Sequence, residues 1–126
     1  MLKAKDIMSK DVTTISPEAT LADAIELLIA KEISGMPVVD NRGKMIGLIS
    51  EKDILNFAFS GNLYNTRVNE AMSKNITTFT PDTEVDKIAM TISQHQFRRV
   101  PIVEGEKVVG IVSRRDIIRI ALKIEL

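Results

Sequence analysis

The chain has 126 residues, of which 44% are hydrophobic and 27% are charged, a composition typical of a folded globular protein rather than a disordered one. Seventeen basic side chains balance seventeen acidic ones, so bulk charge does not favour polyanion binding. The absence of cysteine excludes disulfides, thiolate metal sites and cysteine nucleophiles. We find no signal peptide and no apolar run long enough to span a bilayer, and we therefore expect a cytoplasmic protein.

The first half of the chain predicts a strand, a helix, a hairpin and a second helix, in that order. A short strand over residues 12–15 is followed by Ser-Pro, which breaks it. From Thr20 onward apolar residues recur at helical spacing, and Thr20 with Asp23 forms a candidate capping box. Two β-branched runs within residues 38–49 flank an Asn-Arg-Gly turn, and the last helix begins near Ser50.

The second half repeats the same order. Residues 8–14 match residues 72–78 almost letter for letter, and the prolines and glycines that follow recur in register. The polar stretch at residues 60–67 resembles a linker. We therefore divide the chain into two domains, residues 1–61 and residues 62–126, which share a core because one unit of this size buries too little apolar surface.

Each half ends with Ser-x-x-Asp in front of an apolar helix, as Ser50 to Asp53 and as Ser113 to Asp116. Two interpretations are open. Serine as N-cap with an acid three residues later is an ordinary helix-capping box. A carboxylate beside a hydroxyl at a helix start is also a suitable place for a polar ligand, and one side chain can serve both purposes.

The Pro-Val-Val-Asp and Pro-Ile-Val-Glu strands, with the Gly-hydrophobic-hydrophobic-Ser-x-x-Asp endings, resemble the CBS domain, named after cystathionine β-synthase. The tandem arrangement resembles a stand-alone Bateman module, and the resemblance extends from about Ile7 to Leu122. It implies an α+β fold in which two pseudo-symmetric β-α-β-β-α repeats pack sheet to sheet. Two clefts related by a pseudo-twofold axis would lie between them.

This resemblance also implies a function. The clefts would bind an adenosine-containing ligand, namely AMP, ADP, ATP or S-adenosylmethionine, and occupancy would regulate a partner protein that the sequence does not identify. No enzymatic activity, catalytic cofactor or metal is implied. A homodimer with helices at its interface is expected, and the apolar residues available for it are Leu55, Phe57, Phe59, Ile120, Ile124 and Leu126.

By the same resemblance, the ribose-binding aspartate of the family falls on Asp53 and Asp116. An ionised carboxylate accepts strong hydrogen bonds from both hydroxyls of a ribose. Adenine is expected beside apolar side chains and backbone groups, and phosphates beside basic residues and helix starts. The implied ligand-binding residues are Thr14, Ile15, Met36, Pro37, Val38, Ser50, Lys52, Asp53, Thr78, Phe79, Arg98, Arg99, Val100, Pro101, Ile102, Ser113, Arg115 and Asp116.

The two implied sites differ in charge. Where the second copy has Arg98, Arg99 and Arg114, the first copy has serine, glycine and glutamate, so the sites are not expected to be equivalent. Two other functions remain open. The chain could be a structural dimerisation module with empty clefts, or a nucleic-acid-binding module. Zero net charge and the scarcity of aromatic residues, with one Tyr, four Phe and no Trp, argue against nucleic acid.

Overall fold

The computed structural model describes residues 1–125 and confirms the mixed α and β architecture. Its elements, in chain order, are α1 (Ala4–Ile7), α2 (Leu21–Lys31), β1 (Gly35–Val39), β2 (Met45–Ser50), α3 (Glu51–Leu55), α4 (Val68–Ala71), α5 (Val85–His95), β3 (Arg99–Glu104), β4 (Lys107–Ser113) and α6 (Arg114–Glu125). Strands β1 and β2 form one antiparallel hairpin and β3 and β4 another, with a register shift at the same place in both.

The chain divides into two compact units that differ from the two sequence repeats. The first unit consists of residues 13–76, and the second unit combines residues 1–12 with those from residue 77 onward. The boundaries of these units therefore fall after residues 12 and 76. We call residues 1–12 the N-terminal segment and residues 62–76 the connecting segment. The N-terminal segment packs with the second repeat, and the connecting segment packs with the first repeat.

Backbone hydrogen bonds account for this exchange. In the first unit, Ser73 of the connecting segment and Leu48 of β2 exchange N–H···O bonds of 2.9 Å in both directions. In the second unit, Ser9 of the N-terminal segment and Ile111 of β4 exchange bonds of 2.9 and 3.0 Å. Each segment thus adds a short antiparallel bridge to the edge of a hairpin.

Helix α2 of the first unit begins with the predicted capping box. The Thr20 hydroxyl accepts from the Asp23 N–H at 3.1 Å, and the Asp23 carboxylate accepts from the Thr20 N–H at 3.0 Å. The helix turns its apolar face to the β1–β2 hairpin. The buried cluster comprises Ile15, Leu21, Ala24, Leu28, Met36, Val38, Ile49, Ile54 and Val68.

The stretch predicted to be a linker is an ordered part of the first unit. The carbonyls of Leu63 and Thr66 accept hydrogen bonds from the first two N–H groups of α2, at 3.1 and 2.9 Å. A helix leaves its first N–H groups without partners inside the helix. The connecting segment therefore satisfies donors that would otherwise face solvent, and Thr66 is buried as a result.

The second unit has the same internal plan. Its buried cluster comprises Ala4, Ile88, Ile92, Val100, Ile102 and Val112, so the N-terminal segment contributes to the core through α1. An ion pair of 3.1 Å between Lys5 and Asp82 joins this segment to the loop before α5. The hydrogen bond and charge of Lys5 hold the pKa of Asp82 below its ordinary value.

The strand predicted over residues 12–15 shortens to a single parallel bridge at Ile15. Its N–H donates to the Pro37 carbonyl at 3.1 Å, and its carbonyl accepts from the Val39 N–H at 3.0 Å. Extending this ladder toward the N-terminus requires an N–H at Pro37, and extending it toward the C-terminus requires one at Pro17. Proline has no backbone N–H, so the ladder stops on both sides.

The strand predicted over residues 76–79 is wrong for the same reason. Only Phe79 forms a parallel bridge, with Ile102. Pro81 and Pro101 occupy the positions of Pro17 and Pro37, and they block the ladder in the same way. Each repeat therefore has two full strands and one bridging residue rather than three strands.

Two glycines in the hairpins make room for methionines. A Cβ at Gly47 would overlap the Met72 sulfur and lie 2.9 Å from its Cγ, and a Cβ at Gly110 would overlap the Met8 sulfur and lie 2.7 Å from its Cγ. A glycine inside a strand indicates a close approach of this kind but does not identify the partner. Each methionine belongs to the segment that also forms the backbone bridge, so side chain and backbone hold the segment together.

Several large apolar residues are exposed, and Leu55, Phe59 and Ile124 of the set expected at a dimer interface are among them. On α6, Ile118, Leu122 and Ile124 face solvent, whereas Ile120 is half-buried. Leu55, at the end of α3, and Phe59, beyond it, are exposed, and Phe57 is half-buried. Leu126 lies outside the described residues. Within residues 1–125, every helix is too short or too polar to cross a membrane.

We predict that Gly47→Ala displaces Met72 and lowers the free energy of unfolding by about 1–3 kcal/mol, the usual cost of overpacking a filled site. Chemical denaturation measures it. Because the side chain of Met72 is the obstacle, the double variant Gly47→Ala, Met72→Ala should show a favourable coupling energy relative to the sum of the single changes. Strict additivity of the two single changes would contradict the proposed fit.

Candidate functional site

The Ser50 to Asp53 motif forms the start of α3. The Asp53 Oδ2 accepts from the Ser50 N–H and from the Ser50 hydroxyl, both at 3.0 Å, and the Ser50 Oγ accepts from the Asp53 N–H at 3.4 Å. Both residues are half-buried. The capping interpretation of this motif is therefore confirmed, and the ligand interpretation stays a prediction.

The second copy of the motif repeats this geometry at the start of α6. The Asp116 Oδ2 accepts from the Ser113 N–H at 2.9 Å, and the Ser113 Oγ accepts from the Asp116 N–H at 3.1 Å. In both units the cap uses Oδ2. The other oxygen of each carboxylate is not needed for the cap and is the atom that can meet a ligand.

The first unit adds a residue that the sequence did not predict for the site. The hydroxyl of Ser73, in the connecting segment, lies 3.2 Å from the Asp53 Oδ1 and donates to it. Ser73 is twenty residues from Asp53, and the division near residue 61 placed it in the other domain. The one sequence feature that marks Ser73 is the Met-Ser pair, which occurs as Met8-Ser9 and again as Met72-Ser73.

The apolar residues predicted around adenine lie together but point largely into the core. Met36 and Val38 are 1% and 0% exposed, and Ile15, which bridges to this strand, is also buried. Thr14 is exposed beside them. Met36 and Val38 can therefore meet a ligand only through backbone groups, while Thr14 has an accessible side chain.

The corresponding residues of the second unit are arranged in the same way. Val100 and Ile102 are 1% and 0% exposed, Thr78 is exposed and Phe79 is half-buried. Phe79 donates its N–H to Pro101 at 3.2 Å. The half-buried ring of Phe79 stands where the first unit has the buried Ile15, so the two apolar regions differ.

Basic residues gather where β3 approaches the start of α6. The Arg114 N–H donates to the Arg98 carbonyl at 2.9 Å, and both residues are exposed, as is Arg115. Arg99 is half-buried at the start of β3. Cations at a helix start, where N–H groups are unpaired within the helix, favour the binding of an anion.

The first unit makes the same backbone bond with different charges. The Glu51 N–H donates to the Ser34 carbonyl at 2.9 Å, so a hydroxyl and a carboxylate replace the two guanidinium groups. Lys52 is exposed and is the basic residue nearest to Asp53 in sequence. The difference in charge predicted between the two sites is therefore present at the residues that form this backbone hydrogen bond in each unit.

Comparisons with known proteins agree with this architecture. The CBS domain family model matches residues 4–60 and 68–123. CBS domain-containing protein YhcV of Bacillus subtilis is 33% identical over 118 residues, which cover 93% of this chain and 84% of that protein. Inosine-5′-monophosphate dehydrogenase of Methanocaldococcus jannaschii is 32% identical over 118 residues, but these span only 23% of that enzyme's length.

Solved structures give the same result. CBSX2, crystallised in complex with AMP, superposes with a TM-score of 0.90 at 27% identity and with full coverage of both chains. The CBS domain pair of protein MJ0100, in complex with 5′-methylthioadenosine and S-adenosyl-L-methionine, gives a TM-score of 0.87 at 31% identity, with 98% of each chain covered. Two matched repeats in one chain make this a tandem pair. The chain belongs to the CBS domain family.

Proposed function

We propose that this protein is a regulatory module without catalytic activity that binds an adenosine-containing ligand through Asp53 and Asp116. The ligand is AMP, ADP, ATP or S-adenosylmethionine, and its binding alters the assembly of the protein or its affinity for a regulated partner. A ligand shifts such an equilibrium only by its difference in affinity for the two states.

The observation that carries this proposal is the position of Oδ1 in each carboxylate. Because Oδ2 alone completes the helix cap, Oδ1 can accept a ribose hydroxyl without unfolding the start of α3 or α6. Two similar folds were crystallised with AMP and with S-adenosylmethionine, which supports this ligand class.

The basic residues favour a phosphate-bearing ligand at the second unit. Arg98, Arg114 and Arg115 surround the start of α6, whereas the equivalent place in the first unit carries Glu51. A carboxylate there repels phosphate. We therefore propose that both sites accept AMP, and that the site at Asp116 binds it more tightly than the site at Asp53.

We predict that Asp116→Asn weakens AMP binding about 10- to 100-fold at the affected site, because hydrogen bonds to a charged acceptor contribute about 1.5–3 kcal/mol. The asparagine oxygen still accepts from Ser113, so the cap survives. Isothermal titration calorimetry measures affinity and stoichiometry, and Asp53→Asn reports on the other site. In wild type, AMP at a hundredfold excess over Kd should stabilise the fold by about 2.7 kcal/mol.

Asp23→Asn is the matched control, since Asp23 completes the same kind of capping box in α2 but has no proposed ligand. It should bind AMP like the wild type. Equal affinity for AMP in the wild type, Asp53→Asn and Asp116→Asn would show that these carboxylates do not contact the ligand. Absence of binding for every adenosine compound would favour a structural module with empty clefts.

We further propose that the protein forms a homodimer through α6. A groove of about 410 Å³ lies between α5 and α6, with Ala89, Ile92, Ile117 and Ile118 on its walls. Beside it, Leu122 and Ile124 are exposed. A twofold axis would place this apolar ridge of each copy against the groove of the other, which is the self-complementary arrangement of an isologous interface.

We predict that Ile118→Asp converts the dimer to a monomer, because it places a charge in an apolar interface. Light scattering coupled to size-exclusion chromatography measures the mass over a concentration series. Phe59→Asp is the control, because Phe59 is an exposed apolar residue of the first unit. If Phe59→Asp dissociates the dimer and Ile118→Asp does not, the interface lies at Phe59 and Leu55 instead.

A further inference from the structure

The Asp53 carboxylate accepts three hydrogen bonds from residues 1–125. Ser50 supplies two of them to Oδ2, through its N–H and its hydroxyl. Ser73 supplies the third, to Oδ1. A carboxylate offers about four lone-pair positions, so one position on Oδ1 is left for a ligand.

A vicinal diol presents two hydroxyl donors and needs two acceptor positions. The bonds from Ser50 form the start of α3, and losing them would expose the unpaired N–H groups of the helix. The Ser73 residue is exposed, so water can replace its bond to Asp53 at small cost. Of the three donors, the hydroxyl of Ser73 is therefore the one that a ligand displaces most easily.

We propose that a diol-bearing ligand binds Asp53 by displacing the hydroxyl of Ser73, and that Ser73 thereby sets the diol selectivity of this site. The inference rests on the proposed function, since it requires a ligand at Asp53. It makes Ser73 a positioning residue, because the residue acts through the Asp53 carboxylate and by competing with the ligand for one oxygen.

The second unit lacks this competition. Ser9, the counterpart of Ser73, bonds Ile111 through its backbone, and within the described chain its hydroxyl makes no hydrogen bond to Asp116. The guanidinium of Arg119 has its Nη1 3.9 Å from the Asp116 Oδ1, which is too long for a hydrogen bond. A diol at Asp116 therefore displaces no hydroxyl.

Displacement of Ser73 also reaches the connecting segment. Ser73 is held to β2 by its two backbone bonds to Leu48, and Met72 fits beside Gly47. Its hydroxyl is the additional bond that joins this segment to α3. A ligand that removes this bond loosens the segment, and by thermodynamic reciprocity a loosened segment changes the affinity for the ligand.

The test measures the binding of AMP and of 2′-deoxy-AMP, which lacks one hydroxyl of the diol. It uses the full chain carrying Asp116→Asn, in which binding at the other site is weakened. Adding Ser73→Ala should raise the selectivity for AMP over 2′-deoxy-AMP about 2- to 10-fold, the factor that corresponds to the net contribution of one hydrogen bond. Calorimetry measures both affinities. The control adds Ser9→Ala to the Asp53→Asn chain and should leave selectivity unchanged.

Hydrogen exchange supplies a second readout. AMP should speed exchange of the Leu48 and Ser73 amides in the Asp116→Asn chain but not after Ser73→Ala. AMP binding that appears only after Ser73→Ala supports the inference. Unchanged selectivity, or an equal loss of affinity for both nucleotides, overturns the inference alone. If AMP binds neither the wild type nor any of these variants, the result overturns both this inference and the proposed function for this nucleotide.

Discussion

The fit of a methionine against a glycine determines how this chain is assembled. Met72 occupies the space that a side chain at Gly47 would need, and Met8 does the same at Gly110. Interiors are packed densely, so the missing Cβ of each glycine leaves room for the methionine side chain beside it. This fit and the backbone bridges beside it join the connecting segment to the β1–β2 hairpin and the N-terminal segment to the β3–β4 hairpin. The first of these contacts brings Ser73 to Asp53.

The two interpretations of Ser-x-x-Asp are compatible because a carboxylate has two oxygens. In both units Oδ2 completes the cap, and the cap orients the side chain so that Oδ1 is held in a defined place. A ligand site built on a cap is preorganised, since no side-chain freedom is lost when the ligand binds. The same bonds that stabilise the first turn of the helix therefore prepare the proposed site.

The two units have the same backbone arrangement but different side chains at the proposed sites. One strand-to-helix hydrogen bond occurs in both, but it links Arg98 to Arg114 in the second unit and Ser34 to Glu51 in the first. At the carboxylates, Asp53 is paired with a hydroxyl from the connecting segment and Asp116 lies near a guanidinium. The glycines, the prolines and the capping residues that form the common backbone recur in both copies, whereas the charged side chains beside the caps differ.

Local interactions were predictable from the sequence alone: the hairpin turns and the capping boxes of α2, α3 and α6 depend on residues close together in the chain. The repeat and the charge difference between the copies follow directly from the order of the residues. The prolines also indicated that the first extended segment of each repeat pairs through a single residue, although the strand propensity around that residue indicated a longer strand. Only the tertiary structure decided which hairpin each segment joins, that Ser73 meets Asp53, and that Ile118 and Leu122 face solvent. These features depend on packing between residues distant in sequence, which helical or strand periodicity does not specify.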